Sequence, residues 1–273
     1  MAIITVSRQL ASRGDEVSAE VAKQLGYRFV GRKEIEERIV YLGFPADKLR
    51  KYDEKKPGFF ASLAKNRDEY LDYLQTAILE AAAENNCVLV GRGSFIILSE
   101  LENHLSFRFV ANNSIRIDRL MKSEGISEKQ ALKKINENDA NRLGFHKSFF
   151  NYQTDDVTLY HAIVNTGLLD LNSAVSIVIQ SVKSLITAEK EKRGEQMLER
   201  LLICQRIVNM LVFDYRFNIN FLRAEVRGHK IVLRGVADSS AIVARALTVV
   251  QCEVPEYKVE SEISVVQDFK AYQ

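Results

Sequence analysis

The chain has 273 residues, 47% of them hydrophobic and only 3 of them proline, which is enough apolar material to bury a core in one large or two smaller domains. Its 38 basic and 36 acidic residues leave a net charge of +2, too balanced to indicate nucleic acid from the bulk field, so any anion site must be built locally. Cys87, Cys204 and Cys252 lie far apart in apolar or helical settings, so neither a disulfide framework nor a zinc site is indicated.

The opening run, Ile3–Ser7, reads as a strand, followed by the small-residue turn Ala11-Ser12-Arg13-Gly14. Glu16, Val17, Ala19, Val21, Ala22 and Leu25 then recur at helical spacing. Strand, loop and helix in this order match a phosphate loop, G-x-x-x-x-G-K-[ST], where helix-start N–H groups cradle phosphate, lysine neutralises charge and a hydroxyl holds Mg²⁺. Here Gln9 stands at the first glycine, Gly14 at the second, Asp15 at the lysine and Glu16 at the hydroxyl. Taken alone, the stretch also reads as a βα turn whose acidic first helical turn complements the helix dipole.

Tyr27–Val30, Cys87–Gly91, Leu105–Val110 and Ala162–Asn165 read as further strands. Asp68–Glu84, Ile115–Ser123, Glu128–Asn138 and Leu171–Thr187 read as helices. This alternation predicts a parallel sheet covered by helices, an α/β layer over residues 1–187. Lys48–Gly58 and Gly144–Thr158 are expected to be exposed excursions. A helical connector is expected over 188–213; continuity through Gly194 would couple its flanks mechanically, and a break there would uncouple them. Residues 214–273 form a separate small α+β module, with strand, helix and strand at 230–238, 239–250 and 257–266. No long apolar span occurs and the first residues enter a strand directly, so a cytoplasmic placement is the expectation.

Several arginines stand where an anion site would need them. Arg8 and Arg13 flank the loop and could supply cations from another direction. Gly91-Arg92-Gly93 closes a strand where glycine allows close backbone approach and the guanidinium can fork onto a phosphate, or cap the next helix. Arg116 and Arg119 share a helix face, and Asp139 and Arg142 form an i,i+3 pair; such a face can close over a phosphate or carry ordinary surface ion pairs. His104, His146, His161 and His229 show no metal-ligand spacing.

Taken in order, ITVSRQLASRGDEVS, GYRFVGRKEIEERI, YDEKKPGFF, VLVGRGSFIIL, RIDRLMKSEGISEKQALKKINENDANR and HAIVNTGLLDLNSAV resemble the cytidylate-kinase-like branch of the P-loop nucleoside monophosphate kinases over roughly the first 185 residues. The resemblance implies a five-stranded parallel sheet flanked by helices, with nucleotide at the strand C-termini. It implies ATP with Mg²⁺ as the cofactor. It places Arg8, Ser12, Arg13, Gly14, Asp15, Glu16, Arg92 and Asp139 on nucleotide phosphates, and Arg116, Arg119 and Arg142 on the moving phosphoryl group as catalytic residues. The branch commonly carries S-R-x-x-G-S-G-G-x-x-I, so Arg13 and Asp15 replace a glycine and a basic residue; Gly31 and His161 replace carboxylates, leaving no metal ligand to assign.

GHKIVLRGVADSSAIVARALTVVQCEVPEYKVESEISVV resembles a BON-type module through Val232, Leu233, Gly235 and Val236. Such modules are thought to bind phospholipid or other ligands, or to mediate assembly. The expected partner is a nucleotide or other phosphate-bearing small molecule; homo-oligomers through the C-terminal module and lipid contact are further options, and nucleic acid is not indicated. Three functions then compete. The first is a nucleotide-binding protein with a degenerate phosphate loop, weak or absent phosphotransfer and a sensing role through the C-terminal module. The second is an active ATP-dependent CMP kinase, and the third a nucleotide-independent scaffold. The first is preferred because an anion in the place of a cation reverses the sign of a partly desolvated interaction with phosphate.

Overall fold

The computed structural model describes residues 1–49, 64–84 and 86–266. Contacts divide the chain into Met1–Gln196 and Met197–Gln273. The first unit contains, in order, β1 (Ile3–Arg8), α1 (Gly14–Leu25), β2 (Arg28–Val30), α2 (Arg32–Tyr41), α3 (Ala46–Leu49), α4 (Ala64–Ala83), β3 (Cys87–Val90), α5 (Ser94–Ile97), β4 (His104–Val110), α6 (Asn113–Glu124), α7 (Glu128–Phe150), β5 (Ala162–Asn165) and α8 (Leu171–Leu185). The α9 helix (Ala188–Asn209) follows, and the division falls inside it.

The five strands form one sheet in the order β2-β3-β1-β4-β5, all parallel, as the alternation of elements predicted. β1 lies between β3 and β4, where the chain crosses from one half of the sheet to the other, the position at which such sheets bind ligands at their strand C-termini. The register pairs Ile3 with His104, Thr5 with Ser106 and Ser7 with Arg108. Because side chains alternate between faces, Ile4, Val6, Leu105, Phe107 and Phe109 fall on one face and pack against α1 and α8 in the main core. The other face carries a buried polar column of Thr5, Ser7, His104, Ser106 and Arg108. A functional crevice needs polar groups on a rigid support, and this face supplies both.

Several expectations need correcting. The stretch Gly144–Thr158 does not begin as an exposed excursion: α7 continues to Phe150, burying Phe145, His146 and Phe149. Those rings pack on Phe95 and Tyr70, and the helix ends at Asn151 in the left-handed conformation, φ 57. α2 was not anticipated, because only Ile35 and Ile39 are buried on it. Ion pairs add to that burial: Arg38 with Glu34 and Glu84, and Arg32 with Glu36. Gly194 does not break α9; a Cβ there would lie 1.9 Å from Asn103 Oδ1, so the glycine serves close packing. Most of Lys48–Gly58 lies outside the described residues.

In the second unit, β6 (Ile219–Arg227) pairs antiparallel with β7 (Lys230–Ala237), and β8 (Lys258–Val265), reached through α10 (Ser240–Glu253), pairs parallel with β7. β6 had no separate expectation; Phe221 is exposed on it and it bulges between Asn220 and Arg223, which breaks the alternation. Ile231, Leu233, Ala246 and Val250 lie in the core of this unit. The opposite face of the sheet is a ladder of ion pairs linking Arg227 and Arg234 to Glu225 and Glu262, and Lys230 and Lys258 to Glu260. Among the described residues, no single helix is long and apolar enough to cross a membrane.

Candidate functional site at the β1–α1 loop

Arg8 ends β1, and the loop is pinned as soon as it leaves the sheet. The Gln9 N–H donates to Phe109 O at 3.0 Å, and Gln9 Oε1 accepts from the Ala111 N–H at 3.1 Å. Buried Ser12 donates its hydroxyl to Gln9 O at 2.8 Å. Ala11 and Arg13 hold φ values of 58 and 57, a conformation that costs an L-residue roughly 1–2 kcal/mol and that glycine adopts freely. Leu10 and Ala11 pack on Leu120, Ala131 and Ile135, which helps hold the strained loop in place.

Gln9 O is held within the loop by Ser12, and the other four carbonyls from Arg8 to Ser12 are tied outward. Arg142 donates to Arg8 O, Arg116 Nε to Leu10 O at 2.8 Å, Arg119 Nη1 to Ala11 O at 3.0 Å and Thr166 Oγ1 to Ser12 O at 2.7 Å. Their N–H counterparts are the opposite case. Among the described residues, the backbone N–H groups of Arg13, Gly14, Asp15 and Glu16 have no protein acceptor; the first helical bond runs from Val17 N–H to Arg13 O at 3.0 Å. Such a run of free donors at a helix start is a nest for an anion. Gly14 makes the geometry feasible: a Cβ there would stand 2.5 Å from Arg8 Cβ and 3.3 Å from Phe109 Cβ.

The predicted arginines divide by what holds them. Arg116 is 1% exposed and its guanidinium is fully engaged, on Leu10 O, on Asn113 Oδ1 at 3.1 Å and on both Asp139 oxygens at 2.8 Å. Arg119 also donates to Thr166 O at 2.6 Å and Oγ1 at 3.1 Å; burial, and then the like charge of Arg13, hold its pKa below the ordinary arginine value. These two side chains brace the loop from behind. Arg8 Nε donates to Asp15 Oδ1 at 3.1 Å. The Arg13 side chain is exposed, and neither it nor the Glu16 side chain makes a hydrogen bond or ion pair among the described residues. Arg92 makes its contacts elsewhere: 1% exposed and at φ 57, it donates to Glu36 and, at 3.2 Å, to the Tyr70 hydroxyl.

A cavity of about 220 Å³ opens beside the loop, with Ser7, Arg8, Arg108, Asp139, Arg142, His146 and Asp155 in its wall. Arg108 was missed in the sequence. It donates to Ser7 Oγ at 3.2 Å and to Asp155 Oδ1 at 3.0 Å, with its guanidinium 5.6 Å from the centre of the Tyr160 ring. The available signal was a lone cation inside the apolar run Leu105–Val110, which a buried strand carries only where a partner awaits it. Asp155 had no signal, since only the fold brings it to Arg108.

A resident magnesium ion does not fit this donor set. Among the described residues, no cluster of three or more histidine, cysteine or acidic side chains could hold a metal. Of the two carboxylates at the loop, Asp15 is already paired with Arg8, so a hard cation would meet at most Glu16.

The chain is 30% identical over 128 residues to the cytidylate kinase of Methanocaldococcus jannaschii, covering 46% of this chain and 70% of that one. It is 26% identical over 186 residues to the cytidylate kinase of Pyrococcus horikoshii, covering 67% and 89%. In fold it resembles an uncharacterized protein from Eubacterium ventriosum, with a TM-score of 0.54 at 21% identity over 67% of this chain and 99% of that one. Residues 3–168 match the cytidylate kinase-like family, and the chain belongs to that family.

Proposed function

We propose that the first unit binds the phosphates of a nucleotide on the N–H groups of Arg13–Glu16, with Arg13 as the accessible cation, and that phosphotransfer is weak or absent. The observation that carries this reading is the run of free helix-start donors, framed by the carbonyls of Arg8, Leu10, Ala11 and Ser12, each tied to a side chain outside the loop. It is supported by Ala11 and Arg13, which keep the glycine-like backbone although neither is glycine. Weak transfer follows from charge. Asp15 stands in the place of the lysine, Arg8 is spent on Asp15, and Arg116 and Arg119 donate to the protein's own carbonyls. Transfer depends on positioning and neutralising the developing charge, and those cations are already committed.

In this reading the chain's residues bind and orient the phosphates, and any magnesium arrives with the nucleotide. The C-terminal unit is read as a BON-like sensing module, on the strength of its antiparallel pair followed by a helix and a parallel strand. Its charged sheet face favours a polar partner over lipid insertion.

An active CMP kinase is the second reading, favoured by Arg13, which is exposed at the nest and free to take the lysine's part. Calorimetry with ATP, with and without Mg²⁺, followed by a coupled assay with CMP, separates the two. Binding without turnover supports the proposal; turnover that is lost in Arg13→Ala establishes the kinase; no nucleotide binding overturns both.

A further inference from the structure

A second cavity, of about 310 Å³, opens on the polar face of the sheet around the start of β4 and the residues before β5, away from the β1–α1 loop. Phe95, Tyr152 and Tyr160 supply aromatic walls, and Ser99, His104 and His161 supply polar groups. The Tyr160 ring lies 5.0 Å from that of Phe95, while its hydroxyl donates to Thr154 O at 3.2 Å and Arg108 sits on the ring; Tyr160 therefore separates this cavity from the one beside the loop.

The polar groups here are neutral. The Ser106 N–H donates to His161 Nδ1 at 3.0 Å and the Ser106 hydroxyl stands 2.9 Å from the same nitrogen; with Nδ1 accepting, the ring proton is on Nε2. A second proton on Nδ1 would face the Ser106 donor. His104 Nε2 is 2.6 Å from Thr5 Oγ1 in a fully buried site, where burial opposes charge. The charge of Lys190 acts on His161, but its ammonium is held on Leu185 O at 2.9 Å and does not line the cavity. Among the described residues no charged side chain does. A carboxylate or phosphate entering here would lose water without gaining a counterion. A flat, uncharged molecule would gain aromatic contact and lose little.

We propose that this cavity is a second ligand site, for a small uncharged aromatic molecule that carries a hydrogen-bond acceptor, packed against the aromatic wall of Phe95, Tyr152 and Tyr160 with its acceptor on His161 Nε2–H.

The test is an NMR titration of the full-length protein, labelled with ¹³C at histidine, with phenol and with benzoate as its charged counterpart. Phenol is expected to shift the His161 ring resonances saturably, and benzoate to bind at least about tenfold more weakly. Ser99→Trp, at an exposed position, fills the cavity and should weaken phenol by at least about tenfold with an unchanged melting curve. His161→Phe keeps the ring and removes the donor, and should weaken phenol by about threefold or more, read from the His104 resonance. Phenol shifts that do not saturate, benzoate binding as well as phenol, or phenol affinity unchanged in His161→Phe would each overturn the proposal. His161→Phe decides the matter if Ser99→Trp does not fold.

Discussion

Arg8 Nε donates to Asp15 Oδ1 at 3.1 Å, so the carboxylate that replaces a phosphate-loop lysine is neutralised by the arginine one would otherwise assign to phosphate. The pair removes two candidates at once, and in the proposed reading the helix-start amides and Arg13 remain to bind the anion.

Relief of that pairing should strengthen anion binding. Asp15 is 60% exposed, so the effect of Asp15→Asn is modest, roughly two- to fivefold tighter binding of inorganic phosphate, equivalent to at most about 1 kcal/mol. Asp15→Lys should exceed it. Calorimetric titration with phosphate reads both; affinity that stays level in Asp15→Lys means the loop is built for something other than phosphate.

Arg92 separates a structural role from a binding role. Its side chain is buried against Glu36 and Tyr70, while Glu36 keeps Arg32 when Arg92 is removed, so Arg92→Ala should lower the urea midpoint by lost hydrogen bonds and packing, on the order of 1–3 kcal/mol. Phosphate affinity of the folded fraction should not change. A lost affinity at unchanged stability would return Arg92 to the ligand.

His104 gives the stability of the first unit a pH dependence. Burial, and then the proximity of His161, push its pKa down to about 3, from an ordinary 6.5. Below pH 6.5 the unfolded chain takes up a proton that the folded chain refuses, so this contribution falls as pH drops towards about 3, by about 1.4 kcal/mol per pH unit. Urea denaturation at pH 7, 5.5 and 4.5, compared with His104→Gln, isolates it. The variant, which has no proton to refuse, should show the shallower decline; parallel curves would mean that His104 titrates normally.

The parallel sheet was legible because its strands are short apolar runs between helical patterns, and the loop was legible because Gly14 follows a β-branched strand at the right distance. Local sequence could not show which arginines would be spent. Arg116 and Arg119 share a helix face as expected, yet that face turns to the carbonyls of Leu10 and Ala11, a choice made by the packing of Leu120, Ala131 and Ile135 under the loop. The reach of α7 to Phe150 was hidden by Gly144 and the polar residues around it, and only the aromatic cluster with Phe95 and Tyr70 explains it. Arg108 and Asp155 meet across 47 positions of chain, a pairing no spacing rule contains.

The central claim is that this loop binds phosphate through backbone N–H groups without a lysine. It is tested most directly by titrating ¹⁵N-labelled protein with ATP and following the amide resonances. Saturable shifts that are largest at Arg13, Gly14, Asp15 and Glu16 are the expected result, and they should persist when Mg²⁺ is withheld. Shifts that leave these amides unmoved, or that appear only with Mg²⁺, would contradict it.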